Sequence, residues 1–188
     1  DKVLTRIKYK VDLILASNVF AHSDDIDVMV NNVEKILKPN GTLIIEIQYL
    51  INTLIDCTFD NIYHEHVNYW CLHSLQKYFK KFNFITFDVE KIDTHGGSLR
   101  VFIKKDIKNI KINSAIEIIL TEEKRFGIFN YKTFETFRAK VEKIKNNIVK
   151  NIKVLKEKNI IIAGFGAPAK ATTAINYFGI EAFFDYVI

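Results

Sequence analysis

Hydrophobic and polar positions follow two rhythms along this chain. Residues 11–16 are a short run of branched apolar side chains, which predicts a buried strand of the parallel type. A loop, 17–22, follows, and Ser23, Asp24 and Asp25 offer helix-capping oxygens. Val28, Val30, Val33, Ile36 and Leu37 then keep approximate helical spacing until Lys38-Pro39-Asn40-Gly41, which reads as a stop and turn before a second buried strand over 42–47. Strand, helix and strand in this order form a βαβ unit with a parallel sheet. Residues 72–82 predict a helix with Leu75, Tyr78, Phe79 and Phe82 on one face. Segments 85–92 and 98–104 predict an antiparallel pair at a sheet edge, joined across 93–97. From 112 to 158 the pattern is helical, with Phe134, Phe137, Val141, Ile144, Ile148, Ile152 and Leu155 in one apolar stripe. Strand character returns at 159–163, a glycine turn occupies 164–170, a helix covers 171–177 and a last strand covers 182–188.

Composition narrows the class. With 188 residues, 48% hydrophobic and 26% charged, the chain has ample core and is not disordered. No apolar run approaches the roughly 18 residues of a membrane span and no leader precedes the fold, so a cytoplasmic protein without membrane contact is expected. The first residue is Asp1 and not Met, which suggests part of a longer chain. Cys57 and Cys71 form neither a disulfide framework nor a self-contained zinc site. The net charge of +5 divides into 11 basic against 13 acidic residues over 1–100 and 16 against 9 over 101–188, so the excess belongs to the lysine-rich helical part. Only four of the 27 basic residues are Arg, and the features of base readout are missing, so a nucleic-acid partner is set aside.

Between 48 and 70 periodicity fades while Tyr, His, Glu and Asn accumulate, as in functional loops. Tyr63-His64-Glu65-His66 is the densest cluster. Its side chains suit proton transfer, and His22 is available from the earlier loop. A metal could instead take His64 and His66 with Glu65 or His22, and plain loop histidines are the third reading. Ser17 and Asn18 follow the carboxyl end of a parallel strand, where open α/β sheets bind ligands. His95, Gly96, Gly97, Ser98 and Arg100 combine flexible backbone with a hydroxyl and a guanidinium, as an anion site or a plain turn would. Gly164, Gly166 and Lys170 lie between strand and helix, where a phosphate could sit, although the third glycine of a dinucleotide fingerprint is absent.

Five strings occur here in one order: Asn18-Val-Phe-Ala-His-Ser-Asp-Asp25, Leu37-Lys-Pro-Asn-Gly41, Phe59-Asp-Asn-Ile-Tyr-His-Glu-His66, Thr94-His-Gly-Gly-Ser-Leu-Arg100 and Gly164-Phe-Gly-Ala-Pro-Ala-Lys170. In this the chain resembles the S-adenosylmethionine-dependent sugar C-methyltransferases, which methylate a carbon next to the ketone of nucleotide-linked 4-keto-deoxysugars. The resemblance implies an α/β fold: the C-terminal half of a class I, Rossmann-like methyltransferase domain (1–110), a helical connector (111–158) and the start of a second Rossmann-like domain (159–188). It implies His66 as the base, with Tyr63, Glu65 and His22 stabilising an enolate or orienting the imidazole. Ser17 and Asn18 would meet the methionine part of the cofactor, and His95, Gly96, Gly97, Ser98, Arg100, Gly164, Gly166 and Lys170 the nucleotide sugar. Zinc would belong only to an N-terminal domain outside these residues, and the Gly-rich loop and ribose-binding acid of the cofactor site would precede them too. Gln48 stands where a proline is expected. The alternative is a non-catalytic remnant or nucleotide-sugar-binding module lacking the cofactor site.

Overall fold

The computed structural model describes residue 7, residues 9–105 and residues 109–188; Asp1 lies outside them. The chain is α/β and divides into two compact units, Asp1–Asn52 with Val67–Phe129, and Thr53–His66 with Asn130–Ile188.

In the first unit, β1 (Val11–Ser17) leads through a 3-10 turn (Phe20–His22) to α1 (Ile26–Ile36) and β2 (Leu37–Gln48). Asp25 caps α1 by accepting from the Val28 N–H at 3.0 Å. α2 (Leu50–Asp56) begins in this unit, which continues with α3 (Leu72–Lys80), β3 (Phe84–Ile92), β4 (Ser98–Lys105) and α4 (Ser114–Phe126). The sheet order is β1-β2-β4-β3, with β1 parallel to β2 and both other pairs antiparallel. The sheet is therefore mixed, with the expected hairpin at its far edge.

Two expectations change. Lys38-Pro39-Asn40-Gly41 does not form a separate turn: Leu37 turns extended directly after α1 and the four residues lie within β2. Pairing slips there, from Val11 opposite Leu37 to Leu13 opposite Thr42. Proline has no N–H for a ladder, so a bulge is where a strand tolerates it. Nor is β1 buried on both faces. It is an edge strand, and Leu13 and Leu15 are 57% and 63% exposed.

The core lies on the opposite face of the sheet. Leu43, Ile45 and Ile47 of β2 and Leu99, Val101 and Ile103 of β4 are buried, and Leu72, Leu75 and Phe79 of α3 join Phe20. Phe20 stacks on Phe79 at 5.5 Å between ring centroids. Each such side chain contributes about 1.5–3 kcal/mol of burial. Among the described residues, one that is fully buried is charged. Glu123 of α4 accepts from the Leu72 N–H at 2.5 Å and the His73 N–H at 3.0 Å, satisfying donors that the first turn of α3 cannot pair within the helix. Burial, reinforced by Glu123, pushes the Tyr49 phenol well above its ordinary range and keeps it neutral.

The stretch 112–158 is mostly helical as expected, in two helices divided at Gly127, which adopts a left-handed cap (φ 77°) after α4. Its second part, α5 (Tyr131–Glu157), belongs to the second unit, with β5 (Ala163–Gly164), α6 (Ala169–Phe178) and β6 (Tyr186–Val187). Of the apolar stripe on α5 only Val141 is buried, and Phe134 remains 40% exposed. β5 and β6 pair in parallel but span two residues each, shorter than expected. Asp185 ties this end together by accepting from Lys156 Nζ at 2.5 Å and the Ile162 N–H at 2.7 Å. Phe59 packs its ring against Tyr177 and Phe178 at 5.6 and 5.2 Å, which seats the turn Phe59–Asn61 on α6.

Candidate active site

The first unit places its polar groups in one row. Ser17 of β1 is registered with Glu46 of β2, Glu46 with Arg100 of β4, and Arg100 with Glu90 of β3. Registered residues share a face of a sheet, so the four side chains meet across all its strands. Ser17 Oγ donates to Glu46 Oε2, Arg100 Nε donates to Glu46 Oε1 at 2.7 Å, and Arg100 Nη1 donates to Glu90 Oε2 at 3.2 Å. The Ser17 hydroxyl and then the Arg100 guanidinium hold the Glu46 carboxyl below its usual range. Asn18 adopts a left-handed backbone (φ 54°), and its N–H donates to the Glu46 carbonyl at 3.0 Å. His22 ends the 3-10 turn anchored by buried Phe20. That turn is stitched to later chain: the Val67 N–H donates to the Ala21 carbonyl at 3.0 Å, and Asn68 Nδ2 to the Ser23 carbonyl at 3.1 Å.

The loop at 94–98 is closed by its own bonds. The Gly97 N–H and the Ser98 hydroxyl both donate to the Thr94 carbonyl, at 3.0 and 2.9 Å, and Ser98 is 2% exposed. His95, Gly96 and Gly97 have φ of 54°, 80° and 103° in succession. A Cβ at Gly97 would come within 2.3 Å of Asn52 Nδ2, so close approach as well as backbone angle requires glycine there.

In the second unit Tyr63 and His66 meet. The Tyr63 hydroxyl lies 3.3 Å from His66 Nε2, with ring centroids 4.4 Å apart. His66 Nδ1 lies 2.8 Å from the backbone carbonyl of Asn61, a residue only 2% exposed at the end of the turn Phe59–Asn61. A carbonyl can only accept, so Nδ1 carries the proton and Nε2 presents its lone pair to the phenol. Glu65 lies beside His64. Its carboxylate is 55% exposed and lies 3.9 Å from Nε2 of His64, itself 83% exposed. The Gly166 N–H donates to the Ile188 carbonyl at 2.8 Å, and Lys170 is exposed on the first turn of α6. Among the described residues no group of three or more His, Cys, Asp and Glu side chains is placed to hold a metal.

Thus Ser17, Asn18 and Arg100 come together in one unit and Tyr63 with His66 in the other, while His22 belongs to the first unit and Glu65, Gly164, Gly166 and Lys170 to the second. Two participants escaped the sequence reading. Glu46 had a signal, a lone carboxylate inside the apolar run 43–47. Asn61 acts through a backbone carbonyl, which residue identity does not reveal.

Residues 93–188 match a family described as C-methyltransferase C-terminal domain, and residues 4–87 match one described as methyltransferase domain. C-methyltransferase NovU from Streptomyces niveus is 31% identical over 163 residues, covering 87% of this chain and 39% of that relative. The chain thus spans well under half the length of that protein. With just over half of its residues in the matched carboxyl-terminal domain, the chain belongs to the C-methyltransferase family.

Proposed function

We propose that this chain is the acid–base segment of a cytoplasmic, S-adenosylmethionine-dependent C-methyltransferase acting on a carbon beside the ketone of a nucleotide-linked deoxysugar. The observation that carries the reading is the Tyr63–His66 pair with its imidazole fixed by Asn61. Family membership supports the reaction, and the string Tyr63-His64-Glu65-His66 together with Thr94 to Arg100 supports the sugar substrate.

Abstracting a proton next to a ketone needs a positioned base and a donor for the charge that develops on oxygen. Because Nδ1–H is committed to the Asn61 carbonyl, His66 can gain a proton only at Nε2. At 3.3 Å the bond from Tyr63 is long for a phenol donor, so the hydroxyl is readily released to a substrate oxygen, leaving Nε2 to take the proton. The positive imidazolium then keeps its place through the same carbonyl. Glu65 and His22 stand as assisting groups. At the carboxyl end of β1 the Ser17 hydroxyl is given to Glu46, so the Ser17–Asn18 turn would meet the methionine end of the cofactor through its backbone carbonyls and the remaining N–H of the Asn18 amide. When bound there, S-adenosylmethionine supplies an electrophilic methyl group. Residues 159–188, with Gly164, Gly166 and Lys170, would open the domain that encloses the nucleotide, and His95 to Arg100 would border the sugar.

The test uses the whole protein that contains this chain, a nucleotide-linked 4-keto-deoxysugar and S-adenosylmethionine. Wild type is expected to transfer the methyl group and, in heavy water, to exchange the proton on the carbon beside the ketone. Replacing His66 by Asn should slow both by about 10²–10⁴-fold. Full turnover in both His66→Asn and Tyr63→Phe would overturn these roles.

A further inference from the structure

Glu46 is a charged residue at a place where packing alone has no use for charge. It stands between Ile45 and Ile47, both buried, and its own face of the sheet carries Ile44 and, on β4, Phe102. A partly buried carboxylate at such a strand position costs desolvation, and an apolar side chain would stabilise the sheet at least as well. What Glu46 provides is attachment. One carboxylate oxygen accepts from Ser17 Oγ, the other from Arg100 Nε, and the backbone carbonyl accepts from the Asn18 N–H. One residue thus pins the Ser17–Asn18 turn through a side chain and through the backbone, at a position where Asn18 is left-handed. Arg100 in turn shares its guanidinium between Glu46, through Nε, and Glu90, through Nη1.

We propose that Glu46 is a positioning residue: it holds the Ser17–Asn18 turn, which receives the methionine end of the cofactor, in register with Arg100 at the base of the 94–98 loop. The proposal rests on the methyltransferase reading above. Arg100 acts in it through Glu46. The low proton affinity of the Glu46 carboxyl keeps the attachment intact at neutral pH.

The whole protein that contains this chain tests it. S-adenosylhomocysteine, the demethylated cofactor, is titrated calorimetrically into wild type, Glu46→Leu, Ser17→Ala and the double variant. Leucine keeps about the size of the side chain but offers no oxygen, so neither Ser17 nor Arg100 keeps its acceptor. Glu46→Leu is expected to weaken binding about tenfold, the scale of one hydrogen bond to a charged group. It should raise KM for the cofactor more than it lowers kcat. The double variant should bind as Glu46→Leu does, because Ser17 acts through Glu46. If Glu46→Leu does not fold, Ser17→Ala alone must still weaken binding at least threefold, a part of the same hydrogen-bond scale. Binding by Glu46→Leu within twofold of wild type, or losses that add in full in the double variant, would overturn the proposal and leave the methyltransferase reading standing. A wild type that does not bind the probe would overturn both.

Discussion

The two clusters of polar side chains are built on different principles. The row on the first unit is ionic: two carboxylates and one guanidinium lie directly opposite one another on neighbouring strands, and Ser17 is fastened to its end. The pair on the second unit uses uncharged partners, a backbone carbonyl 2.8 Å and a phenol 3.3 Å from the His66 imidazole. Charges neutralised by partners at hydrogen-bond distance resist rearrangement, because breaking one leaves another unpaired. An imidazole whose Nδ1–H rests on a backbone carbonyl keeps that bond whether or not Nε2 carries a proton, as a base must. The row is suited to holding geometry and the pair to moving a proton.

Substitutions can break this contrast. His66→Asn removes the basic nitrogen, and turnover of the whole protein should fall by about 10²–10⁴-fold, the usual contribution of a general base; steady-state methyl transfer measures it. Next in size, Gly97→Ala forces a side chain into a φ of 103° and against Asn52, and should lower stability by about 1–3 kcal/mol in denaturant titration. Adding Asn52→Ala should recover the part due to the clash. Tyr63→Phe keeps the ring against His66 but loses the donor, so kcat should drop about tenfold with folding intact. The smallest effect sharpens the comparison through pH. Because the Glu46 carboxyl is held below its ordinary value of 4.5, its contribution to stability is complete above that value and is lost as pH falls through the folded value. Asp185, held below 3.8 by Lys156 and the Ile162 N–H, follows the same sign. Thermal melts in acid should therefore show wild type losing more stability than Glu46→Gln as the pH drops below about 4.5.

Much of the α/β pattern was readable because it depends on local periodicity: the parallel pair of β1 and β2, α3, and the antiparallel pair of β3 and β4 all follow from runs of apolar residues. What local pattern could not supply was long-range partnership. Lys38 to Gly41 carry every mark of a turn, yet the neighbouring strand accommodates them as a bulge, with Lys38 Nζ 2.8 Å from the Asp12 carboxylate. Gly127 is a single residue in a long helical rhythm, and its left-handed conformation was not legible from that rhythm. At the candidate site Tyr63 and His66 could be named from one string, and the structure sets them 3.3 Å apart. Glu46 needed the register of four strands to acquire its partners, and Asn61 contributes a group every residue owns.

The carboxylate of Glu123 sets a condition on how the first unit assembles. Its two bonds reach back 51 and 50 residues, to the opening turn of α3. Until α3 has formed, Glu123 has no place in a closed interior; until α4 has docked, the first amides of α3 lack an acceptor. The two helices are therefore expected to open and close as one cooperative element. In native-state hydrogen exchange the Leu72 and His73 amides should exchange in the same opening that exposes the middle of α4, not by fraying at a helix end.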